Sequence, residues 1–454
     1  MDISALYTKT RPLKLFLMVA IPGAVSMLAS SLWGLFDGIF VGSFLGGDAF
    51  AAMNLAFPFV LINCSLADLI GVGSAVPISI ALGRDDKRSA DNYFTCACVT
   101  IVALGAVSGA ALYAVAPALM RAMGAQGTLA RLAVTYLRTY AVFSPFTTIV
   151  FAMDNYLRIC GKIKTSLGLN IAMSAIILAA QYLCICRWEL GIMGSPIAAS
   201  AGMMICAVIA LGVFVRGKLT LGFCRPKFSL RLLGQFVSSG FPNFLNTVAS
   251  RITSIVMNMV LLNMGGTGAV TVYGILMSVG DLVQQFLYGT CDALQPAIGY
   301  NWGCGQPRRV RKIVQCCLAA AAVICLAGMG IMMAFPETLA SLFLEEGSTD
   351  LLPMAVRAMR LYALMNLFRW FPFVIQGFFV AIDRPVPASV LSIANSLVVP
   401  MVLLAALYPW KLTGIWLNAT FTAAIVSVLA AALLLQAKRQ GILAERPAPE
   451  GTSN

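Results

Sequence analysis

The sequence predicts an all-α polytopic membrane protein, with 12 transmembrane helices arranged as two six-helix bundles related by a pseudo-two-fold axis along the membrane normal. Three observations lead there. Hydrophobic residues make up 60% of the chain and charged residues 11%, with a mean hydropathy of +0.88, whereas soluble domains carry about 25% charged residues. At an offset of 220 the chain matches itself: Pro22 falls on Pro242, Gly46 on Gly266, Ala49 on Ala269, Gly83 on Gly303 and Arg88 on Arg308. Apolar stretches long enough to cross a hydrocarbon core of about 30 Å recur six times in each copy.

The first copy places its spans near 14–42, 49–82, 92–116, 132–157, 163–186 and 191–215. The second places them near 236–264, 269–300, 313–335, 354–382, 385–408 and 412–436. The offset slips to 222 where Ala133, Val134, Arg138 and Tyr140 meet Ala355, Val356, Arg360 and Tyr362, and to 223 where Gly191-Ile192 meets Gly414-Ile415. Slippage between spans is what loop insertions produce in a duplicated chain. The resulting organisation is an N-terminal lobe over 1–215, a basic linker over 216–235, a C-terminal lobe over 236–437 and a disordered cytoplasmic tail over 438–454.

Basic residues set the expected orientation. With the N-terminus in the cytoplasm, about 22 of the 31 Lys and Arg fall in inside segments, among them Arg216, Lys218, Arg225, Lys227 and Arg231 between the copies, as the positive-inside rule requires. Both termini are then cytoplasmic in a cell (inner or plasma) membrane, and the +13 net charge implies no nucleic-acid partner. Six spans per copy give both copies the same orientation, which makes them parallel repeats. Such repeats place a substrate path between their halves in secondary transporters.

Several chemistries are set aside by what the chain lacks. It has no His, hence neither the usual general base nor the commonest metal ligand. It has no Gly-x-x-x-x-Gly-Lys-Ser/Thr phosphate loop. Its 13 Cys show no paired zinc-type spacing and read as small apolar fillers. The first apolar segment is too long for a cleaved signal peptide. Enzymatic activity, a bound metal and a cofactor are not expected, apart from H+ or Na+ as a coupling ion. The expected partners are small-molecule substrates and membrane lipids, with the protein a monomer.

The first span carries Leu35-Phe36-Asp37-Gly38-Ile39-Phe40-Val41-Gly42, followed by Leu45-Gly46-Gly47-Asp48-Ala49 and Ala51-Ala52. This resembles the opening signature of the multidrug and toxic compound extrusion (MATE) transporters. Gly71-Val72-Gly73-Ser74, Ser79 and Ala81-Leu82-Gly83 resemble the family's second span, and Gln295-Pro296, Gly299-Tyr300-Asn301 and Gly303 the matching stretch of the second half. The resemblance covers essentially the whole chain. It implies that Asp37 belongs to an ion-coupling and substrate site in the N-terminal lobe, and that its protonation is linked to bending at Pro22. Physics agrees on Asp37: a carboxylate inside a span is costly unless it meets water, a cation or a proton. A structural hydrogen bond to a neighbouring helix is the alternative for Asp37, and a passive kink for Pro22, which Pro242 repeats.

Other embedded polar residues complete the candidate set. Asp68 in the second span either joins Asp37 or pairs with another helix. Asp154 precedes Arg158 by one turn and reads as an ordinary i,i+4 pair. In the fifth span, relatives with a sodium site carry an Asn and an Asp one turn apart. This chain has Ile177 and Gln181 at those places, while Asn170 and Ser174 remain polar on the same helix. The loss favours H+ over Na+ and places the chain nearer the proton-coupled, DinF-like or MepA-like members than the NorM type. In the C-terminal lobe, Arg251 and Arg369 stand where the NorM-type branch has acidic residues. With Asp281, and Asp292 three turns further along the same helix, they form a charge cluster. It either braces the lobe or draws an anionic group of the substrate inward.

The expected function is a secondary active multidrug exporter that antiports H+, rather than Na+, against bulky amphipathic cationic compounds by alternating access. The alternative is a flippase or exporter of a lipid-linked or anionic substrate that uses the basic C-terminal cavity. An ion-leak channel or a transport-dead receptor would belong to a different class, separable by substrate counterflow against a pH gradient.

Overall fold

The computed structural model describes residues 3–216, 219–343 and 351–441, with the side chains of 30–32, 35 and 39 left aside. Lys218 and residues 442–454 of the expected tail lie outside the described residues, while Lys438 and Arg439, expected in that disordered tail, continue the last helix. No strand occurs among the described residues, which form twelve long helical segments. They are α1 (Pro12–Phe40), α2 (Gly47–Gly83), α3 (Lys87–Ala122), α4 (127–159), α5 (Ile163–Arg187), α6 (Gly191–Val215), α7 (230–265), α8 (267–303), α9 (Pro307–Ala334), α10 (352–381), α11 (385–407) and α12 (Lys411–Arg439).

Length and hydropathy alone mark eight of these stretches as candidate spans, and nine with the bent pair Leu352–Leu367 and Trp370–Ala381. Two of the eight, Leu230–Gly303 and Pro385–Arg439, are long enough for two crossings each. A positive φ at Gly266 divides the first and one at Lys411 the second. The remaining segment, α4, is divided at Thr148 and carries Arg131, Arg138, Asp154 and Arg158, which keep it from passing as one apolar run.

The duplication is visible in the backbone. Gly46 (φ 88°) and Gly266 (φ 65°), partners at the offset of 220, both adopt left-handed conformations where α1 passes to α2 and α7 to α8. A side chain disfavours that region, which accounts for the same residue type at both turns. Asp85 and Gly305 repeat the pattern at the same offset, and Gly161 and Asp383 at 222. Local signals set several helix starts. Asp86 caps α3, its side chain accepting the Ser89 amide at 3.1 Å. The Ser89 hydroxyl and amide hold the Asp86 carboxyl below the usual carboxylate range. Pro307 and Pro385 open α9 and α11, where a missing N–H costs nothing.

The helices group into two compact units. The first comprises Met1–Lys9 and Val25–Phe244, the second Thr10–Ala24 and Leu245–Asn454. Each unit therefore takes in a helix start that the sequence repeat would give to the other. In the first unit Phe94 packs against the rings of Tyr156, Phe214 and Phe223 at 5.2, 4.8 and 4.9 Å. Gly105 and Gly109 let α3 meet α4 closely, since a Cβ on Gly109 would lie 2.5 Å from the Ala141 carbonyl oxygen. Spacing small residues by four is how membrane helices bring their backbones together. Near the N-terminus the Tyr7 hydroxyl donates to the Arg158 carbonyl at 2.5 Å. In the second unit the core runs through Met257, Leu261, Val272, Leu276, Met359, Leu404 and Trp416.

Candidate ion-coupling and substrate site

Asp37 lies on the last quarter of α1 and is 4% exposed. Its Oδ1 accepts two hydrogen bonds, one from the Gln181 side-chain amide on α5 and one from the Ser195 hydroxyl on α6 at 2.7 Å. Its Oδ2 has no hydrogen-bond partner among the described residues, and no cation pairs with it there. Tyr136 and Tyr140 of α4 pack at 5.3 Å between centroids, close enough to feel the Asp37 charge. The Tyr136 hydroxyl and the Gln181 Oε1 are buried without a partner among the described residues. Unmet polar atoms of this kind are rare in a packed interior, and a water or an ion is what usually satisfies them.

Chemically, the arrangement is a single carboxyl held at one oxygen and open at the other. Two donors fix the Oδ1 side whether the group is charged or neutral, so a proton can come and go at Oδ2 without the side chain turning. Ile177, one turn before Gln181, is fully buried, and a Cβ on Gly202 would lie 2.4 Å from its Cγ1. An apolar side chain therefore packs there against Gly202 of α6.

Among the described residues, the second repeat does not reproduce this pocket. Met257, the counterpart of Asp37 at the offset of 220, and Ala358, the counterpart of Tyr136 at 222, both belong to the apolar core of the second unit. Asn418, opposite Ser195 at the offset of 223, is buried and donates to the Pro400 carbonyl at 3.0 Å.

Of the expected site residues, only Gln181 reaches Asp37. Asn170 donates to Asp154 Oδ1 at 2.8 Å, and Ser174 donates to the Ala29 and Asn170 carbonyls at 3.2 and 3.1 Å. The reason is rise along α5: Asn170 and Gln181 share a face, but eleven residues separate them by about 16 Å. Asp68 is half-buried near Cys64 and has no hydrogen-bond or ion-pair partner among the described residues. Pro22 sits inside α1, which runs through it from Pro12 to Phe40. Ser195 and Tyr136 were not singled out by sequence. Ser195 carried one weak signal, a lone hydroxyl between Gly194 and Pro196 at the start of an apolar helix.

Asp154 does more than pair along its helix. It meets Arg158 at 2.7 Å and also accepts from Ser166 at 2.5 Å and from Asn170. Arg158 is 6% exposed. Asp154→Ala leaves that guanidinium without its counter-charge and is expected to cost about 3 kcal/mol, the lower end for breaking a buried pair. Thermal unfolding of the purified protein in detergent checks this, and an unchanged midpoint would show the network to be inert.

In the second unit, Arg251 on α7 and Asp281 on α8 have exposed side chains. The charges of Arg251 and Arg369 both act on Asp281, yet among the described residues neither pairs with it within 4.0 Å. Arg369, at the break in α10, donates instead to Gln284, one turn beyond Asp281. Asp292, where α8 tightens before Gln295, accepts from the Gln295 amide at 3.1 Å. Met153 and Met365 are buried packing residues, and Phe373 packs its ring on Tyr288 at 5.5 Å.

Comparisons with known proteins agree with this architecture. The MatE family model matches residues 22–183 and again 242–405, the two starts lying on the repeated prolines. The chain is similar to the multidrug export protein MepA of Staphylococcus aureus, with 21% identity over 418 residues and 90% of each chain covered. Its fold matches a MATE crystallised in complex with MaL6 at a TM-score of 0.92 and 21% identity, covering 98% of this chain and 100% of the other. It also matches a MOP superfamily transporter from Pyrococcus furiosus at a TM-score of 0.91 and 21% identity, covering 98% and 99%. For that transporter a reverse polarity of the binding pocket is taken to suggest a different function.

Proposed function

Since this chain belongs to the MatE family of multidrug efflux transporters, we propose that it exports bulky, amphipathic, cationic compounds in exchange for H+ by alternating access, with Asp37 as the coupling carboxyl. It is a multi-pass membrane transporter and not an enzyme. The observation that carries the reading is the Asp37 pocket, in which Gln181 and Ser195 hold one carboxylate oxygen while the other is open. A proton neutralises such a site by itself, whereas Na+ needs several oxygen ligands, and Ile177 supplies none. Proton and cationic substrate then compete for the same negative charge, which is the simplest form of antiport. Both termini then lie on the cytoplasmic side of the cell membrane, an orientation that the distribution of Lys and Arg supports.

The test is ethidium efflux from cells expressing the protein, measured with a protonophore and, separately, in sodium-free medium. Efflux that stops with the protonophore and survives sodium removal supports H+ coupling, while the reverse pattern assigns the site to Na+. A second reading, export or flipping of an anionic or lipid-linked substrate, is favoured by one observation: the exposed Arg251 and the half-free Arg369 on the second unit. Among relatives, the reversed pocket polarity of the Pyrococcus furiosus transporter makes such divergence of cargo within the fold reasonable.

A further inference from the structure

The charge cluster of the second unit is not built as a brace. A bracing network closes its ion pairs, because a charge at mid-span that lacks both a partner and water is expensive. Here Arg251 and Asp281 are exposed, and neither has a hydrogen bond or ion pair among the described residues. Both lie well inside their helices, Arg251 about 20 Å from the end of α7 and Asp281 about 20 Å from the start of α8, at about 1.5 Å per residue. Unpaired charges at that depth have to face a water-filled space, and a polar ligand can enter the same space.

Arg369 is prepared differently. Gln284 receives one Nη2 proton and so ties down one edge of the guanidinium. The other donors of Arg369 have no side-chain partner among the described residues. A guanidinium held on one edge and open on the other presents the fork that matches a carboxylate or phosphate. Tyr288, one turn beyond Gln284 on α8, sits within the fields of Asp292, Arg369, Asp281 and Arg251. Arg251 and Asp281 stand at equal depth from the turn at Gly266, and the Arg369–Gln284 bond lies one turn from Asp281, so two guanidiniums and the Asp281 carboxylate share one level of the second unit, with Asp292 further along α8.

We propose that Arg251 and Arg369 form an oxyanion-binding subsite in the second unit, oriented by Gln284, which accepts the carboxylate or phosphate of an amphiphilic cargo. Asp281 tempers its positive charge, so that the anionic group is held loosely enough to leave. The inference rests on the transport reading only in naming the ligand as cargo. It extends the cargo from purely cationic compounds to amphiphiles that also carry an acid, and it gives the second repeat a role distinct from the Asp37 pocket.

The test is equilibrium binding to the full-length protein in phosphatidylcholine nanodiscs, followed by fluorescence anisotropy with two dyes that share one ring system. Rhodamine 110 carries a free carboxylate, and rhodamine 123 has that carboxylate blocked as a methyl ester. Arg251→Gln and Arg369→Gln are each expected to weaken rhodamine 110 about tenfold, the loss of one charge-assisted contact, while rhodamine 123 binds as before. Asp281→Asn is expected to tighten rhodamine 110. Retained binding of rhodamine 123 shows that a variant is folded. If a Gln variant fails that check, Arg369→Lys keeps the charge but not the fork and is expected to lose part of the preference.

Equal loss of both dyes, or no preference for rhodamine 110 over its ester in the changes, overturns the proposal. Repeating the titration with phosphatidylglycerol in the nanodisc separates the sources of the oxyanion. Competition identifies the net-anionic lipid headgroup as an occupant, and its absence identifies free cargo. Because binding is read without transport, loss of ethidium efflux in cells would remove the exporter reading and leave this subsite standing or falling on its own data.

Discussion

Asp37→Asn is expected to reduce ethidium efflux about tenfold or more, to the level of cells without the transporter, while protein abundance and thermal midpoint stay close to wild type. The substitution is nearly isosteric. The Asn carbonyl oxygen still accepts from Gln181 and Ser195 as the Asp37 Oδ1 does, so the three helices stay joined. What disappears is the atom that takes the proton. The variant is a permanent mimic of the neutral state, able to complete the proton-loaded half of the cycle and unable to complete the other. A loss of tenfold corresponds to about 1.4 kcal/mol, small beside the cost of an uncompensated charge inside a span. A further readout separates coupling from simple damage. Ethidium binding to the wild type is expected to release a proton and to weaken as pH falls, whereas binding to Asp37→Asn is expected to be flat with pH. A variant that still concentrates ethidium against its gradient would sink the assignment.

The helices were legible because membrane spans announce themselves twice here, by apolar length and by repetition. The expected stretch 269–300 sits inside α8 (267–303), and 412–436 inside α12 (Lys411–Arg439). Asp37 was legible for a related reason, since a carboxyl among apolar residues has few structural explanations. Its partners were harder to read. Ser195 is 158 residues away and Gln181 is 144, and helical periodicity says which residues share a face without saying which depths of two helices coincide. That limit explains Asn170 and Ser174, which lie on the correct face of α5 but too far down it. It also explains Arg369, whose hydrogen bond goes to Gln284, one turn past the Asp281 that sequence spacing suggested. Depth along the helices favoured Asp281 as the partner, and the Arg369 side chain meets the Gln284 amide instead.

Gly240→Ala and Gly73→Ala are expected to destabilise the protein by about 3 kcal/mol or more, the upper range for overpacking, although each adds a single methyl. A Cβ on Gly240 would lie 1.9 Å from the Leu69 carbonyl oxygen, and one on Gly73 would lie 1.9 Å from the Phe236 carbonyl oxygen. The obstacle in both cases is backbone, which cannot swing aside as a side chain can. Both residues belong to the first unit, where the start of α7 crosses α2. The second unit contains the matching crossing of the start of α1 on α8. There a Cβ on Gly23 would lie 2.0 Å from the Gly289 carbonyl oxygen and 3.0 Å from the Ala293 Cβ. Gly289 and Ala293 are the counterparts of Leu69 and Gly73 at the offset of 220, so the two close crossings use corresponding positions of α2 and α8. Gly168→Ala on α5 is the control. A Cβ there meets nothing within 4 Å, and replacing an unencumbered helical glycine is expected to gain up to about 1 kcal/mol. Thermal unfolding of the purified variants in one detergent compares them directly. Stable Gly240→Ala and Gly73→Ala proteins would show that the crossing opens without cost, and the close approach of α2 and α7 would then lose its role in holding the first unit together.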